Sequence, residues 1–138
     1  MKKFLLISFV LFVSVKSIAQ IDSSLIYGLD ITGFVDVTAQ EANISIQKIN
    51  LKIIDLRSAY EFYNGHLNHA INWYYTDGSF TKHIIKQNHH KTFLIYADSR
   101  DGISDSAMDD MEQLGFENVL NMNEGIHDWI ENKLPVVK

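Results

Sequence analysis

This sequence predicts an α/β fold, a mainly parallel sheet flanked by helices, and two observations carry that prediction. Short apolar runs at 51–56, 70–73, Thr92–Tyr96 and Asn118–Met122 alternate with stretches of helical character, which is the pattern of successive βα units. Helix start and stop signals fall between those runs. Thr38-Ala39-Gln40-Glu41 is a capping box, Gly115 follows one apolar-periodic stretch, and Pro135 follows another.

In chain order, residues 20–36 mix apolar residues with turn formers and show no clear period. They read as an extension across the domain or an edge element, so the domain proper is set at 37–138. The capping box opens a helix to about Gln47, with Ala42 and Ile46 on one face. Residues 51–56 (Leu-Lys-Ile-Ile-Asp-Leu) form a buried strand. A short helix capped by Ser58 follows and ends at Asn64-Gly65. A second short strand occupies 70–73, and a helix is expected around 80–86. Thr92–Tyr96 is the central strand. A helix runs from about Ser104 to Leu114 with Gly115 beyond its end, then a strand at Asn118–Met122 and a last helix at Gly125–Glu131.

With 138 residues there is room for one core, and 46% hydrophobic residues with a single Pro describe an ordinary globular chain. The first residues stand apart. Met1-Lys2-Lys3 is basic, residues 4–15 are apolar except for Ser8 and Ser14, and Ser17-Ile18-Ala19 is a small-x-small cleavage pattern. The apolar run of 12 residues is shorter than the ~20 that a spanning helix needs. A cleaved export signal over 1–19 is therefore expected, an uncleaved anchor being the alternative. The expected location is the periplasm or the exterior, with no stable membrane insertion after cleavage. Removing Lys2, Lys3 and Lys16 from 12 basic residues leaves 9 against 17 acids, a net charge of −8. Such a surface disfavours nucleic acid as a partner. With zero Cys, no disulfide supports the fold in an oxidising compartment. No cofactor is expected, and no His or Cys array suggests a metal centre.

The chemistry-bearing stretch follows the central strand: Ala97, Asp98, Ser99, Arg100, Asp101, Gly102, Ile103 and Ser104. A strand entering a short polar loop and then a helix points backbone N–H groups at one spot, an arrangement that holds anions and activates thiolates. Several segments in register, covering about 37–136, resemble those of rhodanese-like domains. Ile53-Ile54-Asp55-Leu56-Arg57 is similar to that family's hydrophobic-hydrophobic-Asp-Val-Arg segment, and Glu61-Phe62-Tyr63-Asn64-Gly65-His66 with the following Leu67-Asn68-His69-Ala70-Ile71-Asn72 to its E-F-x-x-G-H-I-P-G-A-I-N segment. Leu114-Gly115-Phe116, Gly125-Ile126-His127-Asp128-Trp129 and Leu134-Pro135-Val136 resemble its tail. The resemblance implies a three-layer sandwich and a nucleophilic Cys directly after the central strand, where Ala97 stands. Four departures accompany it: Asn68-His69 replaces the usual Pro-Gly, Glu124 stands where the first Gly of a Gly-Gly pair is expected, the loop is about one residue longer than the common form, and the family's loop arginine has no clear counterpart.

Sulfur transfer needs a thiolate that carries a persulfide, and alanine supplies none. Asp98, Asp101 and Asp105 against Arg100 also give the loop a net charge of −2, which opposes an anionic substrate. Expected instead is an exported, catalytically inactive module, binding or regulatory, with an unidentified protein or small-molecule partner in the cell envelope. The alternative is an enzyme with other chemistry at the Ala97–Ser104 loop, metal-assisted hydrolysis using Asp98, Ser99 or Asp101. Asp55, Arg57 and His66 are supporting candidates. Asp55 and Arg57 sit at the carboxyl end of a strand, where open α/β sheets bind ligands, yet such a pair also serves to fix a loop. His66 reads as a turn-fixing partner.

Overall fold

The structure is a computed structural model and describes residues 32–99 and 101–138. The expected export signal at 1–19, residues 20–31 of the extension, and Arg100 lie outside the described residues. Five strands form one sheet in the order β1-β5-β4-β2-β3, every neighbouring pair parallel. They are β1 (Gly33–Asp36), β2 (Leu51–Asp55), β3 (Ile71–Asn72), β4 (Thr92–Tyr96) and β5 (Asn118–Met122). The helices are α1 (Ala39–Lys48), α2 (Ala59–Asn64), α3 (Ser79–Ile84), α4 (Ile103–Gln113) and α5 (Gly125–Glu131).

One boundary moves. Gly33–Asp36 pairs along its whole length with Asn118–Asn121 of β5, so the sheet begins four residues before the position set from sequence. A four-residue edge strand with half its residues exposed carries too little alternation to show a period. Of the two sequence readings for this stretch, the edge element is the one adopted.

Side-chain alternation along the inner strands divides the core in two. Ile54, Phe93, Ile95 and Val119 face α3 and α4, meeting Phe80, Ile84, Ala107 and Met111. Ile53, Leu94, Tyr96 and Leu120 face the opposite side and meet Ala39, Ala42, Ile126 and Trp129 of α1 and α5. Because both faces of β4 are covered, its sequence reads as a continuous apolar run. The result is three layers, helices on each side of a parallel sheet, held without disulfides.

Local chemistry sets the helix starts. At α1, Thr38 Oγ1 accepts from Glu41 N–H while the Glu41 carboxylate accepts from Thr38 N–H at 2.8 Å. Ser58 and Glu61 build the same box at α2. α2 buries none of its residues; it stands at the carboxyl end of β2 and exists because its caps and the turn after it hold it there. Trp129 is buried among the α1–α5 contacts, and its indole N–H donates to Pro135 O at 2.9 Å, which ties the C-terminal tail to α5.

Candidate functional site

All parallel strands deliver their carboxyl ends to one edge of the sheet, and the candidate residues gather there. β2 ends on Asp55, β4 leads into Ala97, and β5 leads into the start of α5. Asp55 is fully buried and Arg57 is 7% exposed. Their side chains meet at 2.6 Å, and Arg57 also donates to Gly65 O at 2.8 Å, while Arg57 N–H donates to Asp55 Oδ1 at 2.9 Å. Burial alone would lower the guanidinium pKa, but Asp55 and the adjacent Tyr96 phenol hold it above its ordinary value. Asn72 Nδ2 closes the same turn on the carbonyls of Asp55 and Arg57. These groups pin the β2–α2 turn and its exit at Gly65.

Tyr96 links this turn to the central strand. Its hydroxyl accepts from Leu67 N–H at 3.2 Å, and its ring lies 5.7 Å from the Arg57 guanidinium carbon. Burial, then the charge of Asp55, pushes its phenol well above the usual tyrosine range. His66 stacks on Phe62 at 3.7 Å and donates from Nδ1 to Phe62 O at 3.0 Å. Its backbone bridges Val137 through reciprocal hydrogen bonds of 2.9 Å. His66 is thereby engaged in holding the turn and the tail.

The loop itself is tied down from within. Ala97 is 1% exposed and packs with Ile95, Leu56 and Ala107 in the α3–α4 half of the core. Its carbonyl accepts from Ile126 N–H at 3.0 Å, and Asp98 O accepts from His127 N–H at 3.3 Å. The first turn of α5 therefore spends these N–H groups on the loop. That contact requires Gly125: it has φ +64°, and a Cβ there would run into the carbonyls of Asp98 and Ala97.

The three loop acids go to three different partners. Asp98 Oδ1 lies 3.2 Å from His127 Nε2 at the surface. Asp101 Oδ1 accepts from Ile103 N–H at 3.0 Å, and Asp101 N–H donates to Ser99 O at 2.7 Å. Asp105 Oδ1 accepts from Asn121 Nδ2 at 2.8 Å, and the same amide reaches Asp36 Oδ1 at 2.9 Å. Among the described residues, no group of three or more His, Cys, Asp or Glu is placed to hold a metal ion. Gly102, with φ +77°, turns the chain into α4 without a side-chain cap. Ile103 is the first residue of α4, one position earlier than the sequence suggested, and Ser104 is 2% exposed on its inner side. The Ser104 hydroxyl is not presented to solvent.

Two participants were not singled out from the sequence. His127 is 29 positions from Asp98, so no local pattern connects them. Asn121 is fully buried, and an Asn inside the apolar run Val119-Leu120-Asn121-Met122 was its available signal.

The profile of the Rhodanese-like domain family matches residues 38–132. This chain belongs to the rhodanese-like domain family. No curated relative matches it. Among solved structures it is similar to a rhodanese-related protein from Thermoplasma volcanium, at 22% identity, TM-score 0.65, and coverage of 74% of this chain and 96% of that one. It is also similar to a rhodanese-like domain protein from Staphylococcus aureus, at 17% identity, TM-score 0.59, and coverage of 70% and 90%. A thiosulfate sulfurtransferase from Pseudomonas aeruginosa matches at 17% identity and TM-score 0.63, over 75% of this chain and 20% of that one. Identities this low speak for a shared fold. Within this rhodanese-like domain the residue after the central strand is Ala97, and the chain has no Cys anywhere.

Two measurements follow from this packing. Gly125→Ala combines an unfavourable φ with a clash against carbonyl oxygens, so it should cost about 2–6 kcal/mol in urea unfolding, summing typical strain and overpacking losses. A loss below ~0.5 kcal/mol, the range of an ordinary surface substitution, would show that the α5–loop contact yields easily. Tyr96 sets an alkaline limit. An unfolded phenol loses its proton near 10.0, whereas the folded one keeps it to higher pH. Stability should therefore be unaffected by this group below about pH 10 and fall above it, by up to ~1.4 kcal/mol per pH unit. Unfolding of wild type and Tyr96→Phe at pH 9 to 11.5 checks it (pH values chosen about the ~10 reference); the variant should lose that component of the slope.

Proposed function

We propose that this rhodanese-like domain is a catalytically inactive binding or regulatory module, exported to the periplasm or beyond, acting on a protein or small-molecule partner in the cell envelope. One observation carries the reading: Ala97 occupies the position of the family's nucleophile. Beside it, the loop's own Asp101 carboxylate takes the first N–H of α4. A thiolate attacks a sulfane sulfur and holds it as a persulfide, and a methyl group does neither. Asp101 already accepts from Ile103 N–H, so an anionic donor would meet a carboxylate where it needs N–H groups. Since fold does not dictate function, a scaffold that keeps its geometry without the nucleophile retains recognition as the remaining use of this edge.

The basic, apolar and small-residue pattern of residues 1–19 supports export. Among the described residues, no helix is long and apolar enough to cross a membrane. The alternative of metal-assisted hydrolysis at 97–104 is less favoured, since Asp98, Asp101 and Asp105 each engage a separate partner.

Incubating the purified chain with thiosulfate and cyanide should yield no thiocyanate above a heat-killed control; clear turnover would overturn the reading. Ala97→Cys alone should also remain at background, because the Asp101 carboxylate still takes the first N–H of α4. Full turnover by that variant would show the loop to be an intact cradle that lacks just its sulfur. Export is checked separately by expressing the full chain in a bacterial host and sequencing the N-terminus of the fractionated protein. The expected first residue is Gln20 in the extracytoplasmic fraction, and a chain retained in the cytoplasm beginning at Met1 would refute export.

A further inference from the structure

Glycine follows an aspartate or asparagine at three steps of this chain: Asn64-Gly65, Asp77-Gly78 and Asp101-Gly102. Such steps share one intrinsic reaction. The glycine nitrogen attacks the side-chain carbonyl carbon Cγ of the preceding residue and closes a five-membered succinimide, and glycine, with no Cβ, puts nothing in the way. From Asn the leaving group is ammonia, and from Asp it is water. Opening of the ring by water at the former main-chain carbonyl reroutes the chain through Cβ as isoaspartate. Opening at Cγ gives ordinary aspartate. In an unfolded chain the Asn step leads, because its amide is neutral whereas an ionised carboxylate is a poor electrophile.

The fold ranks the three steps differently. Gly65 is buried, its N–H donates to Phe62 O at 3.1 Å, and its carbonyl accepts from Arg57 at 2.8 Å. The Asn64 step is thus locked on both sides of its glycine. The two Asp steps have closely matched geometry. Gly78 has φ 80° and ψ 3°, and Gly102 has φ 77° and ψ 0°. Each leads into a helix, α3 or α4, and each preceding carboxylate folds back over its own glycine peptide. Asp77 Oδ1 accepts from Ser79 N–H at 2.8 Å, and Asp101 Oδ1 accepts from Ile103 N–H at 3.0 Å. Both Asp residues and both glycines are exposed. One contact separates the pair. Gly78 N–H donates to Tyr75 O at 3.2 Å, whereas Gly102 N–H has no acceptor among the described residues. A nitrogen committed to a carbonyl must give up that bond before it attacks. The Gly102 nitrogen has none to give up.

We propose that Asp101-Gly102 is a self-modification site of the folded chain, where Asp101 converts through a succinimide to isoaspartate ahead of the other two steps. Gly102 N forms the bond to Asp101 Cγ. The N–H proton, one carboxyl oxygen and a second proton depart as water. Another water opens the ring, so no oxidant, reductant or further co-reactant enters. The product lengthens the main chain by one atom and leaves the former main-chain carbonyl as a carboxylate directly on Cα. Ile103 N–H thereby loses Asp101 Oδ1 as its acceptor. The modification releases the first N–H of α4, in the loop that follows Ala97.

The full chain is held at neutral pH and physiological temperature, either folded or unfolded in guanidinium chloride, and sampled over weeks. Digestion and peptide mapping by electron-transfer fragmentation, which distinguishes isoaspartate from aspartate, give the rate at each step. In the folded chain, isoaspartate should form at 101 about fivefold faster than at 77, the rate cost of giving up one ordinary hydrogen bond, and faster than Asn64 deamidates. In guanidinium chloride the order should change, with Asn64 leading and the two Asp steps closely similar. Asp101→Glu, whose longer stem would need a six-membered ring, should abolish the signal at 101 and leave the rates at 64 and 77 unchanged. The proposal is overturned if Asn64 or Asp77 leads in the folded chain, or if 77 and 101 react equally there. It is also overturned if 101 stays unmodified while the unfolded chain reacts.

Discussion

A nearly water-free ion pair at the carboxyl end of β2 is the constraint from which the candidate site follows. Asp55 is wholly buried, and Arg57 spends its guanidinium on that carboxylate and on Gly65 O. A buried charge without its partner is costly, so these two groups must be positioned together or not at all. Their closure brings the β2–α2 turn under Tyr96, whose hydroxyl takes Leu67 N–H. The polar cluster thus fastens the end of β2, the end of β4 and the turn toward β3 into one unit. Hydrogen bonding by α5 to Ala97 and Asp98 then fixes the loop from the other side.

Within that frame the supporting groups surround Ala97 and no thiol. The buried pair, the glycine that lets α5 approach, and the turn into α4 are all in place around a methyl group. The acids of the loop are spent on Ile103 N–H, His127 and Asn121. This edge is tied down largely by its own chain and presents no thiol. The opposite edge is the contrasting case. There β3 pairs with β2 at Ile54 and Asp55, which leaves Leu51 to Ile53 without a strand neighbour on that side.

Much of this was readable before any coordinates. Capping boxes at Thr38 and Ser58 announce their helices because the satisfying groups lie three residues apart in the chain. β4 was legible as a central strand because burial on both faces leaves an unbroken apolar run. The edge strand Gly33–Asp36 was not, since its pairing with β5 comes from residues more than eighty positions away. The partners of Asp98 and Asp105 were hidden for the same reason. His127 and Asn121 lie on other elements, and no spacing rule connects them to the loop.

By itself, the amino-acid sequence determined the layered α/β class, the family resemblance, the lack of any thiol and the acidic balance of the loop, because composition and local periodicity carry those properties. Tertiary structure decided how the acids are used, that Ser104 is buried, and that Gly125 is indispensable to the loop's anchorage. Those outcomes depend on which distant backbone and side-chain groups fill the space beside each residue, and packing alone brings them together.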